Sequence, residues 1–369
     1  MSGKTIDLDL KINPELPKRM DHRIGCIGAG FIMKDIQLAA YKKAGFNPVA
    51  IMDLSEERAK EAALQWDIPK VYKDYNELIE DKDIEILDIA IPPDQQINII
   101  RKAAEENDHI KGILAQKPLA MNYIEALEIV NICEKAGMKL AVNSNMRYDQ
   151  SMRALKTIIE RGYLGEPVIA SIEMRAIPHW QDFLKKYDRL TLLNVSIHHI
   201  DIFRYLFGDP DYVMASARPD PRTEFKHIDG IAMYIFEYQN DFRAISVDDV
   251  WAWPGKVDDP ERDIYIKWRV EGLEGIAKGT IGWPYYPVPT PSTLDFASKK
   301  IPGNWIKPRW KEVWFPDAFA GTMAQLLRAV EDNQKPEING RDNLKTLAII
   351  EACYKSIEEG RKESPKDFL

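Results

Sequence analysis

The chain of 369 residues is long enough for about two domains with substantial apolar cores. Its 45% hydrophobic and 29% charged residues exclude a disordered, collagenous or coiled-coil chain. Fifty Lys and Arg against fifty-eight Asp and Glu leave a net charge of −8 without a basic block, which argues against nucleic acid as a partner.

From Met1 to Asp21 charges and prolines mix without an apolar leader segment, and no apolar run approaches the ~18 residues that span a bilayer. A soluble cytoplasmic protein without a membrane partner is expected. From Arg23 to Asn145, short β-rich runs alternate with helical ones, the pattern of a doubly wound parallel sheet. Strands are expected at Arg23–Ile27, Pro48–Met52, Ile86–Ile91, Gly112–Ala115 and Lys139–Val142, with amphipathic helices such as Ser55–Trp66 and Asn122–Ala136 between them. Ser55 before Glu56 and Glu57 is a sound helix N-terminus, because a hydroxyl and negative charge satisfy the free N–H groups there.

After about Asp149 the rhythm changes. Helix Ser151–Arg161, strand Val168–Arg175 and helix Asn194–Phe207 are followed by strands at Ile231–Tyr238, Phe242–Val250, Ile264–Glu271 and Gly275–Ile281. Successive strands without helices predict a mostly antiparallel open sheet in an α+β domain. Tyr285–Pro291 reads as an irregular surface loop, and the chain closes with helices Phe319–Asp332 and Asp342–Gly360, the second capped by Asp342. Cys26, Cys133 and Cys353 lie far apart in apolar stretches, as reduced packed thiols do. No Cys/His spacing predicts a metal site, and no Ser/His/Asp order predicts a hydrolase.

The chemistry begins at Gly28-Ala29-Gly30-Phe31-Ile32-Met33, between the first strand and a helix over Lys34–Ala44. Gly28 permits a tight turn, and Gly30 lets backbone amides approach a pyrophosphate at the helix N-terminus. Met33 replaces the third glycine of the dinucleotide fingerprint. Asp53, ending the second strand, is placed to accept ribose hydroxyls and repel a 2′-phosphate, which favours NAD over NADP.

Further on stand Gln116-Lys117-Pro118-Leu119-Ala120 and Asn194-Val-Ser-Ile-His198-His199-Ile200-Asp201. With the glycine loop, these stretches resemble the Gfo/Idh/MocA family of sugar and polyol dehydrogenases, over about Arg23 to Glu363. The resemblance implies residues 1–20 as an N-terminal extension, 21–146 as an NAD-binding Rossmann domain, and 147–369 as a substrate-binding and oligomerisation domain. It implies an NAD-dependent enzyme that moves a hydride between a carbohydrate or polyol carbon and nicotinamide, assembled as a homodimer or homotetramer. The family's Glu-Lys-Pro motif falls on Gln116, Lys117 and Pro118, with Lys117 polarising the reacting hydroxyl and a cis Lys117–Pro118 bond expected. Its Asp-x-Gly-x-His motif falls on Asn194, Ser196 and His198, with His198 as general base. Asn194 and His198, four apart, are expected on one helix face. His199 points about 100° away and reads as structural.

The implied cofactor contacts are Gly28, Gly30, Phe31, Ile32, Asp53, Ile91, Pro92, Gln96, Gln116 and Lys117. The implied substrate contacts are Lys117, Arg147, Asn194, His198, His179 and Trp180, although Arg147 is equally suited to a structural salt bridge. Trp251 and Trp253 offer further sugar-stacking rings, with packing as the alternative. Three family positions depart here: Gln116 stands for Glu, Asn194 for Asp and Gln96 for His. Loss of the Asp carboxylate predicts a lowered pKa for His198. Two other readings stay open, a cofactor-binding sensor without turnover and a redox-neutral hydrolase or eliminase that uses bound NAD transiently.

Overall fold

The alternating runs after Arg23 form, in the computed structural model, a parallel sheet of six strands in the order β3-β2-β1-β4-β5-β6. The structure describes residues 8–106, 108–176, 182–250 and 263–369. The strands are β1 (Arg23–Ile27), β2 (Asn47–Met52), β3 (Lys70–Tyr72), β4 (Ile86–Ile89), β5 (Gly112–Ala115) and β6 (Lys139–Val142). Only β3 was not foreseen, because its three half-buried residues at the sheet edge carry no apolar pattern. The helices are α1 (Leu38–Ala44), α2 (Glu56–Trp66), α3 (Tyr75–Glu80), α4 (Pro93–Glu106) and α5 (Tyr123–Lys135). Ser55 caps α2 as expected, its hydroxyl accepting the Arg58 N–H. The helix after the glycine loop opens as a π-helix, Ile32–Gln37, before continuing as α1.

The second half contributes α6 (Gln150–Glu160), β7 (Pro167–Arg175), α7 (Ile197–Phe207), β8 (Tyr212–Arg218), β9 (Ile231–Glu237) and β10 (Arg243–Asp249). It continues with β11 (Tyr265–Gly272), β12 (Gly275–Ile281), β13 (Thr293–Ser298), β14 (Ile301–Ile306), α8 (Phe319–Glu331) and α9 (Gly340–Glu359). Its eight strands follow the order β14-β13-β12-β11-β7-β10-β9-β8. All neighbours are antiparallel except β7 and β10, which run parallel. The expected mostly antiparallel open sheet is therefore present, and β8, β13 and β14 extend it beyond the strands foreseen. One face packs on α6 and α9; the other exposes Met214, Met233, Ile235 and Val247.

The chain then returns to the nucleotide half. Helix α8 lies on β5 so closely that a Cβ at Gly112 would meet Leu326 at 2.9 Å and Val330 at 3.0 Å. The Val142 amide donates to the Ile338 carbonyl at 2.8 Å, extending β6. A division at 146/147 thus separates stretches of sequence, while α8 and α9 tie both halves into one body. The N-terminal segment does the same from outside. Arg161 donates to the Leu8 carbonyl, and the Lys18 and Arg19 amides donate to Glu331 at 3.0 and 2.7 Å. The cap of α9 differs from expectation: Asn339 accepts the Asp342 amide at 3.1 Å, which leaves the Asp342 carboxylate free to pair with arginines. The three cysteines are buried free thiols, as expected.

Candidate active site

A cavity of about 700 Å³ runs from the glycine loop to the start of α7. Its nucleotide end fits a dinucleotide. Gly28 has φ +97°, a conformation that suits glycine, and a Cβ there would meet the Ala90 carbonyl at 2.5 Å. Gly30, by contrast, has open space where a side chain would stand, so its bare backbone leaves the cavity free at the helix N-terminus. Asp53 lines the same end, accepting the Ala29 amide at 2.7 Å, the Ser55 amide at 2.8 Å and the Arg58 guanidinium at 2.7 Å. Burial works against its charge, but these donors outweigh it and hold the carboxyl below its ordinary range. Phe31, Ile32, Ile91 and Pro92 also line the cavity.

Lys117 follows β5 and enters the cavity, and its bond to Pro118 is cis, as expected. Its ammonium donates to the Asn194 carbonyl at 2.8 Å. Burial lowers its pKa to about 8. The loop carrying it is clamped from behind by Gln96. The amide nitrogen of Gln96 donates toward the carbonyls of Gln116, Pro118 and Leu119 at 3.0–3.2 Å, and its oxygen accepts the Gln116 amide at 2.8 Å. Gln96 is fully buried and does not line the cavity, so the cofactor contact expected of it is corrected to a positioning role. The Gln116 side chain does line it, donating to Gln37 at 3.3 Å and accepting the Lys117 amide at 3.1 Å.

Gln37 in turn donates to the buried carboxylate of Asp88 at 2.6 Å, as does the Tyr41 hydroxyl at 2.6 Å. Burial dominates these two donors and raises the Asp88 carboxyl to about 7. A carboxyl raised in the fold stabilises below its unfolded value of 3.8, and that contribution is lost as pH climbs through about 7. The difference amounts to up to about 4 kcal/mol. Asp88→Asn is therefore expected to raise the unfolding midpoint at pH 8 more than at pH 5. Thermal denaturation at the two pH values checks this, and an equal effect at both would contradict it.

The second-domain wall is built at the entry to α7. Leu192–Ser196 is π-helical, so the simple i,i+4 face expected for Asn194 and His198 is widened, yet both residues line the cavity. The Asn194 side chain donates back to the Leu190 carbonyl at 3.2 Å, while its own carbonyl holds Lys117. Burial, then Lys117 and His199, lower the His198 pKa well below 6.5. Its ring packs edge-on against Trp314 at 5.6 Å. Trp314 meets Phe315 at 4.6 Å and Trp283 at 6.4 Å, and Tyr286 bridges Phe315 at 6.3 Å to Phe31 at 5.5 Å. This wall of rings joins the glycine loop to His198. It was missed in the sequence, because nothing local distinguishes Trp283 and Trp314 from packing tryptophans. The Tyr285–Pro291 loop, expected at the surface, reaches the site through Tyr286.

Arg147 is corrected to the structural alternative. It is 4% exposed, outside the cavity lining, and donates to Asp201 at 2.6 and 2.7 Å and to Asp342 at 2.6 Å. His179, Trp180, Trp251 and Trp253 lie outside the described residues.

The Gly28 turn, Asp53, Lys117 and His198 thus line one cavity. Residues 22–144 match the description "Oxidoreductase family, NAD-binding Rossmann fold", and residues 152–278 match the "GFO/IDH/MocA C-terminal domain". The chain belongs to the Gfo/Idh/MocA family. It is an oxidoreductase with that family's NAD-binding fold. Among its relatives are the D-apiose dehydrogenase of Paraburkholderia graminis, 25% identical over 340 residues, 91% of this chain and 87% of the relative. The myo-inositol 2-dehydrogenase of Thermotoga maritima is 27% identical over 325 residues, 87% and 91% of the two chains. The fold matches a crystal structure of an Agrobacterium radiobacter oxidoreductase in complex with NAD+, L-tartaric acid and magnesium. The TM-score is 0.78 and the identity 24%, covering 95% of this chain and 100% of that one. Among the described residues, no helix is long and apolar enough to cross a membrane.

Proposed function

We propose that this protein is an NAD-dependent dehydrogenase of a sugar, cyclitol or related polyol, with Lys117 and His198 as its catalytic residues. The observation that carries the reading is the meeting of these two side chains from different halves of the chain in one cavity. Bound NAD supplies the hydride acceptor. Gly28 and Gly30 give the pyrophosphate its room, and Asp53 takes the ribose hydroxyls. The Lys117 ammonium polarises the reacting hydroxyl and steadies the charge left on its oxygen. His198, neutral at pH 7 because burial disfavours its cation, takes the hydroxyl proton. The aromatic wall excludes water and offers an apolar surface to the carbon face of a ring.

The test is nicotinamide absorbance with purified protein, NAD and then NADP, across a panel of sugars, sugar acids and cyclitols that includes D-apiose and myo-inositol. Turnover with NAD is expected. Product formed without net NADH would instead favour the redox-neutral enzyme.

The exposed apolar face of the second sheet supports assembly with a second copy of the chain, as a homodimer or homotetramer in solution. Replacing Ile235, 40% exposed on that face, by lysine is expected to shift the sedimentation coefficient toward the monomer. An unchanged coefficient would place the contact elsewhere.

A further inference from the structure

Beside His198 the cavity is lined by a second histidine that the proposed reaction leaves unused. His199 is 1% exposed, and its Nδ1 stands 2.8 Å from the Asp248 carboxylate on β10. That carboxylate also accepts the hydroxyls of Ser196, Ser246 (3.0 Å) and Tyr234 (3.1 Å). Burial opposes the Asp248 charge, but His199 and the hydroxyls hold the carboxyl below its ordinary range. A carboxylate can only accept, so Nδ1 carries the hydrogen toward Asp248 and Nε2 is the ring atom left for a ligand. Nε2 is buried and has no partner among the described residues.

An unmade hydrogen bond at a buried nitrogen costs stability, and His199 carries that cost on the wall of the cavity. Orientation of the ring by a fourfold-bonded carboxylate, together with an unpartnered Nε2 on a residue that lines the cavity, is how a group is held ready for a ligand. We propose that His199, fixed by Asp248, is a second substrate-contacting residue whose Nε2 forms a hydrogen bond with a hydroxyl other than the one oxidised. The substrate then carries at least two hydroxyls, one served by Lys117 and His198 and another by His199. Asp248 is the positioning residue. This proposal rests on the polyol reading, and the two fail in different ways.

The test uses the full chain holding NADH, with all histidines labelled with carbon-13 at Cε1. The six histidine resonances are assigned from His→Gln variants, and D-apiose, myo-inositol or glycerol is added as the probe. Movement of the His199 resonance is the expected result. Movement of His198 alone overturns the proposal and leaves the polyol reading standing. Silence of both rings means that polyols do not enter the cavity, which overturns the parent reading and this proposal with it. In turnover, His199→Gln is expected to lower kcat/KM about 10- to 100-fold for the polyol accepted. NADH affinity should stay unchanged, and the loss should vanish for the mono-deoxy analogue that lacks the partner hydroxyl. An equal loss for the polyol and each of its mono-deoxy analogues, as a merely structural role would give, overturns the proposal.

Discussion

Lys117→Met is expected to lower kcat/KM for the accepted polyol by about 10²–10³-fold, the effect of removing one preorganised donor from a developing oxyanion. The unfolding midpoint should hardly change, because methionine keeps the stem packed and leaves only one backbone carbonyl, that of Asn194, without its donor. The pH profile carries a second signature. Burial has brought the Lys117 ammonium to about 8, so in the wild type the rate of alcohol oxidation should begin to fall above that pH as the donor loses its proton. His198, lowered well below 6.5, stays neutral and competent as a base throughout that range. A wild-type rate that keeps rising through pH 10 would remove the ammonium from the mechanism.

Arg147→Met is expected to destabilise the fold by about 3–5 kcal/mol, read as a lower urea midpoint, because it takes from the buried Asp201 its two short contacts and leaves it only Arg204 at 3.9 Å and the Thr346 hydroxyl at 3.3 Å. Asp342 keeps a second partner in Arg204 at 2.8 Å, so Asp201 carries most of the penalty. The double variant Arg147→Met with Asp201→Leu is expected to recover much of the loss, since neither charge is then buried alone. At temperatures where the single variant is folded, its KM should stay within a few-fold of wild type. A KM increase of two orders of magnitude at full folding would return Arg147 to the substrate contacts.

These two positions also mark how far the site was legible in advance. Lys117 and the glycine loop stand where strands end in the crevice of a doubly wound sheet, so local order along the chain is enough to place them. His198 was placed by its resemblance to the family's second motif, although the helix there is wider than the i,i+4 face expected of it. Gln96 faces other partners than the cofactor expected of it, and of the two readings left open for Arg147 the structure shows the salt bridge. Gln96 turns inward to hold the lysine loop, and Arg147 turns toward acids on α7 and α9. Neither direction can be read from neighbours in sequence, because each is set by groups tens of residues or more away.

The wall of Trp283, Trp314 and Phe315, and the His199–Asp248 pair, belong to the same class. Asp248 lies 49 residues from His199, and Trp314 donates to Asn145 across 169. What the sequence by itself determined was the periodicity of the strands, the turn chemistry at Gly28 and the capping at Ser55. Those depend on backbone conformation and on side chains a few residues apart. Which polar groups found partners, which buried nitrogens were left without one, and how α8 and α9 closed the two halves together were decided only by the tertiary structure. Burial and pairing are properties of surfaces that meet in space, and they do not exist until the chain has folded.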